Sequence, residues 1–312
     1  MPRPRPNPQR RLPLSPRSLN PSRSPVIYRA FFLTLLVAIA APAMPAQTGR
    51  YRPPARDLSG SPADQVEGAR ILSEFHRAGI AGNYWLAFEL RVMPRKGAER
   101  TVAGQLLGSR NEQGPVARLT LPGAGGLESE QRWLIQSGPR PATWQWTGAP
   151  GLTRALTAAD SFQPMAGTDL APFDLQMPFL YWTDFVYEGI AKVRGRPTHS
   201  FVLYPPADLS EGRPGLTGVR VQLDTEFQAF MQAELLGAKG ATEKTITLLD
   251  LKKVGEQWIP KSIDLRNNLT RDKTRLTMIS AALNLVLPAD TFTADTLAAE
   301  APAVPAAQVE RL

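Results

Sequence analysis

Two histidines and no cysteine leave the chain a narrow range of chemistry. Without a thiolate there is no disulfide, no thiolate metal site and no cysteine nucleophile. His76 and His199 are far apart, and neither sits in a metal or catalytic spacing such as HExxH. Both read as exposed or core-edge imidazoles. There is no Gly-x-Ser-x-Gly elbow and no phosphate loop. The stretch Gly123-Ala124-Gly125-Gly126 mimics a dinucleotide turn only superficially, since Glu128 fills the sixth position, and a surface turn is expected. A carboxylate pair of a lipid or glycan hydrolase would have to come from residues such as Asp174, Asp184, Glu188 and Asp224, which spacing alone does not bring together. Glu188 lies out of phase with Phe185, Tyr187 and Gly189, as on a solvated strand face. Arg194-Gly195-Arg196 offers either an anion contact or an aggregation-resistant hairpin tip. No catalytic residue, metal site or cofactor is implied.

The remaining chemistry is apolar. Six tryptophans, at 85, 133, 144, 146, 182 and 258, fall within the central part of the chain. They serve either as core anchors or as the lining of an apolar cavity.

The stretch that must position them runs over residues 173–204, where an aromatic-rich segment through Phe179 and Trp182 leads into two alternating strands, 185–193 and 198–204. Gly195, free to take φ > 0, and Pro197 join these strands as a hairpin. The apolar segment 173–182 reads as a short lid or plug helix at the mouth of a sheet.

Upstream, Ser61-Pro62-Ala63-Asp64 predicts a helix over 62–78, with Ser61 as its N-cap and Gly79 as its stop. From Asn83 the period becomes two, with Tyr84, Leu86, Phe88 and Leu90 on one face. Candidate strands follow at 101–109, 116–121, 131–137 and 143–147, then at 218–224, 227–236, 245–252, 257–266 and 275–285. Residues 152–180 break this rhythm, with Asp160, Asp169 and Asp174 as candidate caps. The short connections predict an antiparallel meander in an α+β fold. About ten strands would curl into an unclosed half-barrel with covering helices over an apolar cavity. The inward face inferred from periodicity supplies the cavity candidates Tyr84, Leu86, Phe88, Leu90, Trp144, Trp146, Phe185, Tyr187, Val219, Val221 and Leu223, which Phe179 and Trp182 join from the lid.

The formal charge of +8 would suggest nucleic acid or an anionic membrane, but position argues otherwise. Residues 1–30 hold seven arginines and no acid, so without them about +1 remains and no nucleic-acid partner is expected. The apolar run 30–41, followed by small residues, reads as an export signal (about 26–46) cleaved near Ala43 or Ala46, or else as an uncleaved anchor. The expected organisation is an extension and signal over 1–46, a linker over 47–60, one domain over 61–297 and an Ala/Pro-rich flexible tail over 298–312.

Several stretches in this order resemble the outer-membrane lipoprotein-sorting proteins of the LolA-like superfamily. They are residues 177–182, Tyr187-Glu188-Gly189, residues 194–197, 202–205 and 219–224, Gln257-Trp258-Ile259-Pro260-Lys261, Asp264-Leu265-Arg266-Asn267 and residues 274–279 and 287–293. The likeness is good over about 170–297 and rests on strand pattern before that. It implies a half-barrel whose cavity holds the acyl chains of lipoproteins or other lipids in the periplasm, a carrier and not an enzyme. Its partners would include envelope transport components and, transiently, a membrane. Lacking a lipid-attachment cysteine, the chain fits a soluble carrier better than an anchored receptor. Alternatives are a structural or protein-interaction module of the envelope with a filled core, and the carboxylate-dependent hydrolase.

Overall fold

In the computed structural model, the described residues are 51–312, apart from 59–61, 124–128, 149–151 and 228. The expected export segment, most of the 123–126 turn and the expected cap Ser61 fall outside them. Helix α1 (Gln65–Arg77) is capped instead by Asp64, whose carboxylate accepts from the N–H groups of Val66 and Glu67.

Six strands then follow as a meander: β1 (Asn83–Met93), β2 (Arg100–Asn111), β3 (Gly114–Leu121), β4 (Gln131–Gln136), β5 (Ala142–Thr147) and β6 (Arg154–Ala155). A second meander runs through β7 (Phe185–Val193), β8 (Arg196–Leu203), β9 (Gly218–Asp224), β10 (Phe230–Leu236), β11 (Thr242–Val254), β12 (Gln257–Asn267) and β13 (Lys273–Leu285). β1 pairs with β13, which fuses the two meanders into one antiparallel sheet with β6 and β7 at its edges. The sheet is therefore unclosed. It has fourteen strands where about ten were expected: each of the twelve candidate segments forms one, and β6 and the terminal β14 (Glu310–Arg311) add two-residue pairings that leave no periodic signal. Bulges at Ile279 in β13, opposite the Ala87–Phe88 step of β1, and at Glu188 in β7 bend the strands they interrupt.

Alternation sends Leu86, Phe88 and Leu90 to one face, where they meet Trp133, Ile135, Phe201, Val219, Val221 and Leu223 in a single core. Helix α1 covers part of this face with Ile71 and Leu72. It approaches closely because residue 68 is glycine, where an added Cβ would stand 2.5 Å from Tyr187 Cβ. Its Gln65 side chain accepts from Tyr187 N–H at 2.8 Å and donates to Tyr187 C=O at 2.9 Å, so a side-chain amide takes a strand's place along the free edge of β7.

The other face is covered as well. Residues 51–57 lie against β7 and its neighbours, where Arg56 N–H donates to Glu188 and Tyr204 OH donates to Pro53 C=O. Glu188 is consequently buried, not solvated, and binds Arg220 and Ser200. The tail expected to be flexible folds onto the sheet. Buried Arg118 and Arg132 donate to the carbonyls of residues 297–299, and β14 pairs with β13. None of the described helices is long and apolar enough to cross a membrane.

Candidate functional site

The segment expected to form a lid is helix α2 (Pro172–Gln176), a left-handed Met177 (φ 46°) and a 3-10 turn at Pro178–Tyr181. It is fastened on three sides. Asp174 accepts from the Ala171 N–H at 2.8 Å and from Lys244 Nζ at 2.7 Å. The Gln176 amide donates to Gln136 C=O at 3.0 Å and to Thr143 Oγ1 at 3.2 Å. On α1, His76 Nε2–H donates to Leu180 C=O at 2.6 Å and its ring stacks on Tyr181 at 4.4 Å. Burial holds the His76 imidazole below its ordinary value, so the stacked ring is neutral at pH 7. Phe173 and Phe179 are buried, with ring centroids 5.8 Å apart, and Trp182 stands edge-on to Phe179 at 6.3 Å. The segment thus acts as a plug and touches protein.

Above this plug opens a cleft of about 690 Å³, a size that suits a small apolar ligand. Four irregular segments wall it: the β4–β5 turn, residues 156–161, the plug itself with Thr183 and Asp184, and residues 204–209 leading into helix α3 (Ala207–Gly212). Five of its lining residues are prolines, 139, 141, 178, 205 and 206. Proline has no N–H, so these walls face the cavity without adding a donor that would need water. Phe173, Tyr181, Trp182 and Tyr204 add aromatic surface. Burial raises the Tyr181 phenol, which stays neutral. Asp184 and Asp208 are the charged residues among those lining the cleft.

The thirteen candidate residues fall into two groups. Leu86, Phe88, Leu90, Phe179, Tyr187, Val219, Val221 and Leu223 belong to the buried core, with Tyr84, Trp182 and Phe185 packed against it. Trp144 and Trp146 project from the opposite face and pack with Val116, Leu134 and Leu297 beneath the C-terminal segment. Their strand turns Thr143 towards the cleft instead. Of the thirteen, only Trp182 lines the cleft. The residues missed, among them Asp184, Tyr204, Pro205 and Pro206, lie at strand ends and in irregular segments, where periodicity is silent. The Pro205-Pro206 pair directly after a strand was the available signal.

Each of the four acids considered for hydrolysis is paired with a cation of the chain. Asp174 pairs with Lys244, Asp184 with Arg52, Glu188 with Arg220 and Asp224 with Arg196. No cluster of three or more metal-ligating side chains occurs among the described residues.

An unclosed antiparallel sheet with α1 and a plug on its inner face is a LolA-like fold, and solved structures agree. An outer membrane lipoprotein-sorting protein domain from Vibrio parahaemolyticus superposes with a TM-score of 0.65 at 19% identity, covering 75% of this chain and 100% of its own. A DUF1329 family protein from Desulfovibrio piger gives 0.64 at 12% identity over 74% and 98%. A LolA superfamily protein from Nitrosomonas europaea gives 0.55 at 15% identity over 73% and 97%. At these identities the likeness is one of fold. No curated protein matches the sequence. A family model described as "Uncharacterized protein" matches residues 128–299, over half of the chain, and the chain belongs to that family.

Proposed function

We propose that the protein is an exported, non-enzymatic carrier of apolar chains, a lipoprotein-sorting or lipid-binding protein of the periplasm. Its ligand is an acyl chain, free or on a lipidated protein, and it meets envelope transport components and the membrane transiently. One observation carries this reading: Phe173 and Trp182 both line the cleft and pack into the core. A chain entering the cleft meets aromatic surface continuous with the sheet's interior. Burial of each methylene stabilises the complex by roughly 0.8 kcal/mol, enough for a partly enclosed chain to be held without covalent chemistry. The sorting domain from Vibrio parahaemolyticus, which shares the fold, supports the class of cargo. The sheet, with residues 51–57 and the C-terminal segment that cover its outer face, would carry this function.

The test is native mass spectrometry of protein recovered after mixing with membranes, alongside displacement of the neutral dye Nile red by dodecanol. A bound lipid and displacement are expected. Recovery of ligand-free protein together with failure to bind Nile red would refute the carrier reading. A second reading, an envelope interaction module with a filled interior, draws on the burial of Phe179 and Leu90 at 0% exposure beneath the plug. That refuting result is the one it expects.

A further inference from the structure

The charged residues that line the cleft are of one sign. Among its lining residues Asp184 and Asp208 are acidic, and no lysine or arginine is among them. At the rim, Asp184 and Tyr204 are already engaged by a cation of the chain itself. Arg52 Nη1 and Nη2 each donate to one oxygen of the Asp184 carboxylate at 2.8 Å, and its guanidinium carbon stands 3.5 Å from the centroid of the Tyr204 ring. A carboxylate beside an aromatic face is the arrangement that recognises cationic nitrogen. Tyr204 is fixed for this role, since its ring is buried and its OH donates to Pro53 C=O at 2.8 Å. Arg52 and Asp184 remain 52% and 57% exposed. Bidentate geometry strengthens such a pair, but its exposure leaves it open to solvent and to a competing cation.

Building on the carrier reading, we propose that Asp184 and Tyr204 form a subsite for the ammonium group of a cationic amphiphile, and that Arg52 is its internal competitor. The apolar chain lies along Phe173, Trp182 and Leu209. The ammonium takes the position of the Arg52 guanidinium, between the Asp184 carboxylate and the face of Tyr204. Arg52 lies in the segment that crosses the outer face, so its displacement disturbs no residue of the inner core.

The assay is displacement of Nile red from the full chain at neutral pH by three amphiphiles of equal length: dodecylammonium, dodecanol and dodecanoate. A cation–π contact combined with an exposed carboxylate predicts about tenfold stronger displacement by dodecylammonium than by dodecanol, with dodecanoate weakest. Arg52→Ala removes the competitor and strengthens dodecylammonium severalfold. Asp184→Asn, at a position exposed enough to keep the fold, abolishes the preference for dodecylammonium over dodecanol. Equal displacement by dodecylammonium and dodecanoate would overturn the subsite while leaving the carrier intact. So would an Arg52→Ala variant that loses dodecanoate without gaining dodecylammonium, because Arg52 would then be reading an anionic head. Failure of Nile red to bind at all refutes the carrier reading, and the subsite with it.

Discussion

Replacing Phe179 by alanine tests whether residues 172–182 are core or lid. The ring is fully buried, tilted against Phe173 at 5.8 Å and edge-on to Trp182 at 6.3 Å. Truncating a buried phenylalanine costs about 3–5 kcal/mol through lost transfer and an unfilled void, and the two ring pairs place this site towards the upper end. A domain's whole stability is about 5–15 kcal/mol, so a loss near 4 is a large fraction of it. With a urea m-value near 3 kcal/mol/M, expected for a larger domain, the unfolding midpoint falls by about 1.3 M. Equilibrium urea unfolding followed by tryptophan fluorescence measures this, with amide exchange of the plug as a second probe. The outcome that refutes the reasoning is a loss below about 1 kcal/mol in the global transition, accompanied by fast exchange confined to 172–182. The plug would then open independently of the core, and Phe179 would be available to cargo.

Three further outcomes are expected. Glu188→Ala leaves the buried Arg220 with only the longer Glu234 contact at 3.8 Å and should cost about 3 kcal/mol in urea unfolding, most of it recovered by Glu188→Leu with Arg220→Met. Gly68→Ala should destabilise by about 1–3 kcal/mol in thermal or urea melts despite alanine's better helix propensity, since its Cβ meets Tyr187 Cβ at 2.5 Å. Burial lowers the pKa of both His76, which faces Arg110, and His199, which faces Glu67, Arg70, Asp224 and the Tyr187 hydroxyl. The unfolded chain therefore takes up protons first as the pH drops. Their contribution is complete above the unfolded value of about 6.5 and is lost as the pH falls through the lowered folded values. Urea midpoints measured across this window should decline, and less so in the His76→Gln, His199→Gln double variant.

Much of the sheet was legible because its strands alternate. β1 follows the predicted period-two stretch, and the hairpin of β7 and β8 turns at Arg194 and Gly195, both at positive φ. What alternation cannot say is which face is inner and what covers the outer one. On β5, Trp144 and Trp146 outweigh Thr143 and Gln145 in apolar surface, and that contrast points inward. The Ala/Pro-rich tail, which carries no periodic signal, covers the opposite face and gives the two tryptophans Leu297 to pack on. On β9 the sequence Val-Arg-Val-Gln-Leu-Asp (219–224) alternates as a half-solvated strand would, yet Arg220, Gln222 and Asp224 are all buried. Arg220 is satisfied by Glu188, two strands away in the sheet and out of reach of any local pattern. The cleft was illegible for a related reason: strand ends and turns build it, and their residues converge only once both meanders are in place.

The two faces of the sheet are covered by different kinds of contact, which decides how the cleft can open. Inside, α1 and the plug are held by polar contacts such as Asp174–Lys244 and also by buried rings and aliphatic side chains whose removal costs several kcal/mol each. Outside, much of the cover is polar. Arg52 holds Asp184, Arg56 N–H holds Glu188, and Arg118 and Arg132 hold main-chain carbonyls, with Arg118 Nε left without a partner. Among these, the Arg52–Asp184 pair is both the most exposed and the one on the cleft rim. Exposed pairs contribute about 0.2–1 kcal/mol, several-fold less than one buried plug ring. Loss of this pair frees the rim at Arg52, while Pro53 stays buried and accepts from the Tyr204 hydroxyl. A ligand that competes for Asp184 widens the rim at a small free-energy cost, while Phe179 and the inner core stay closed beneath it.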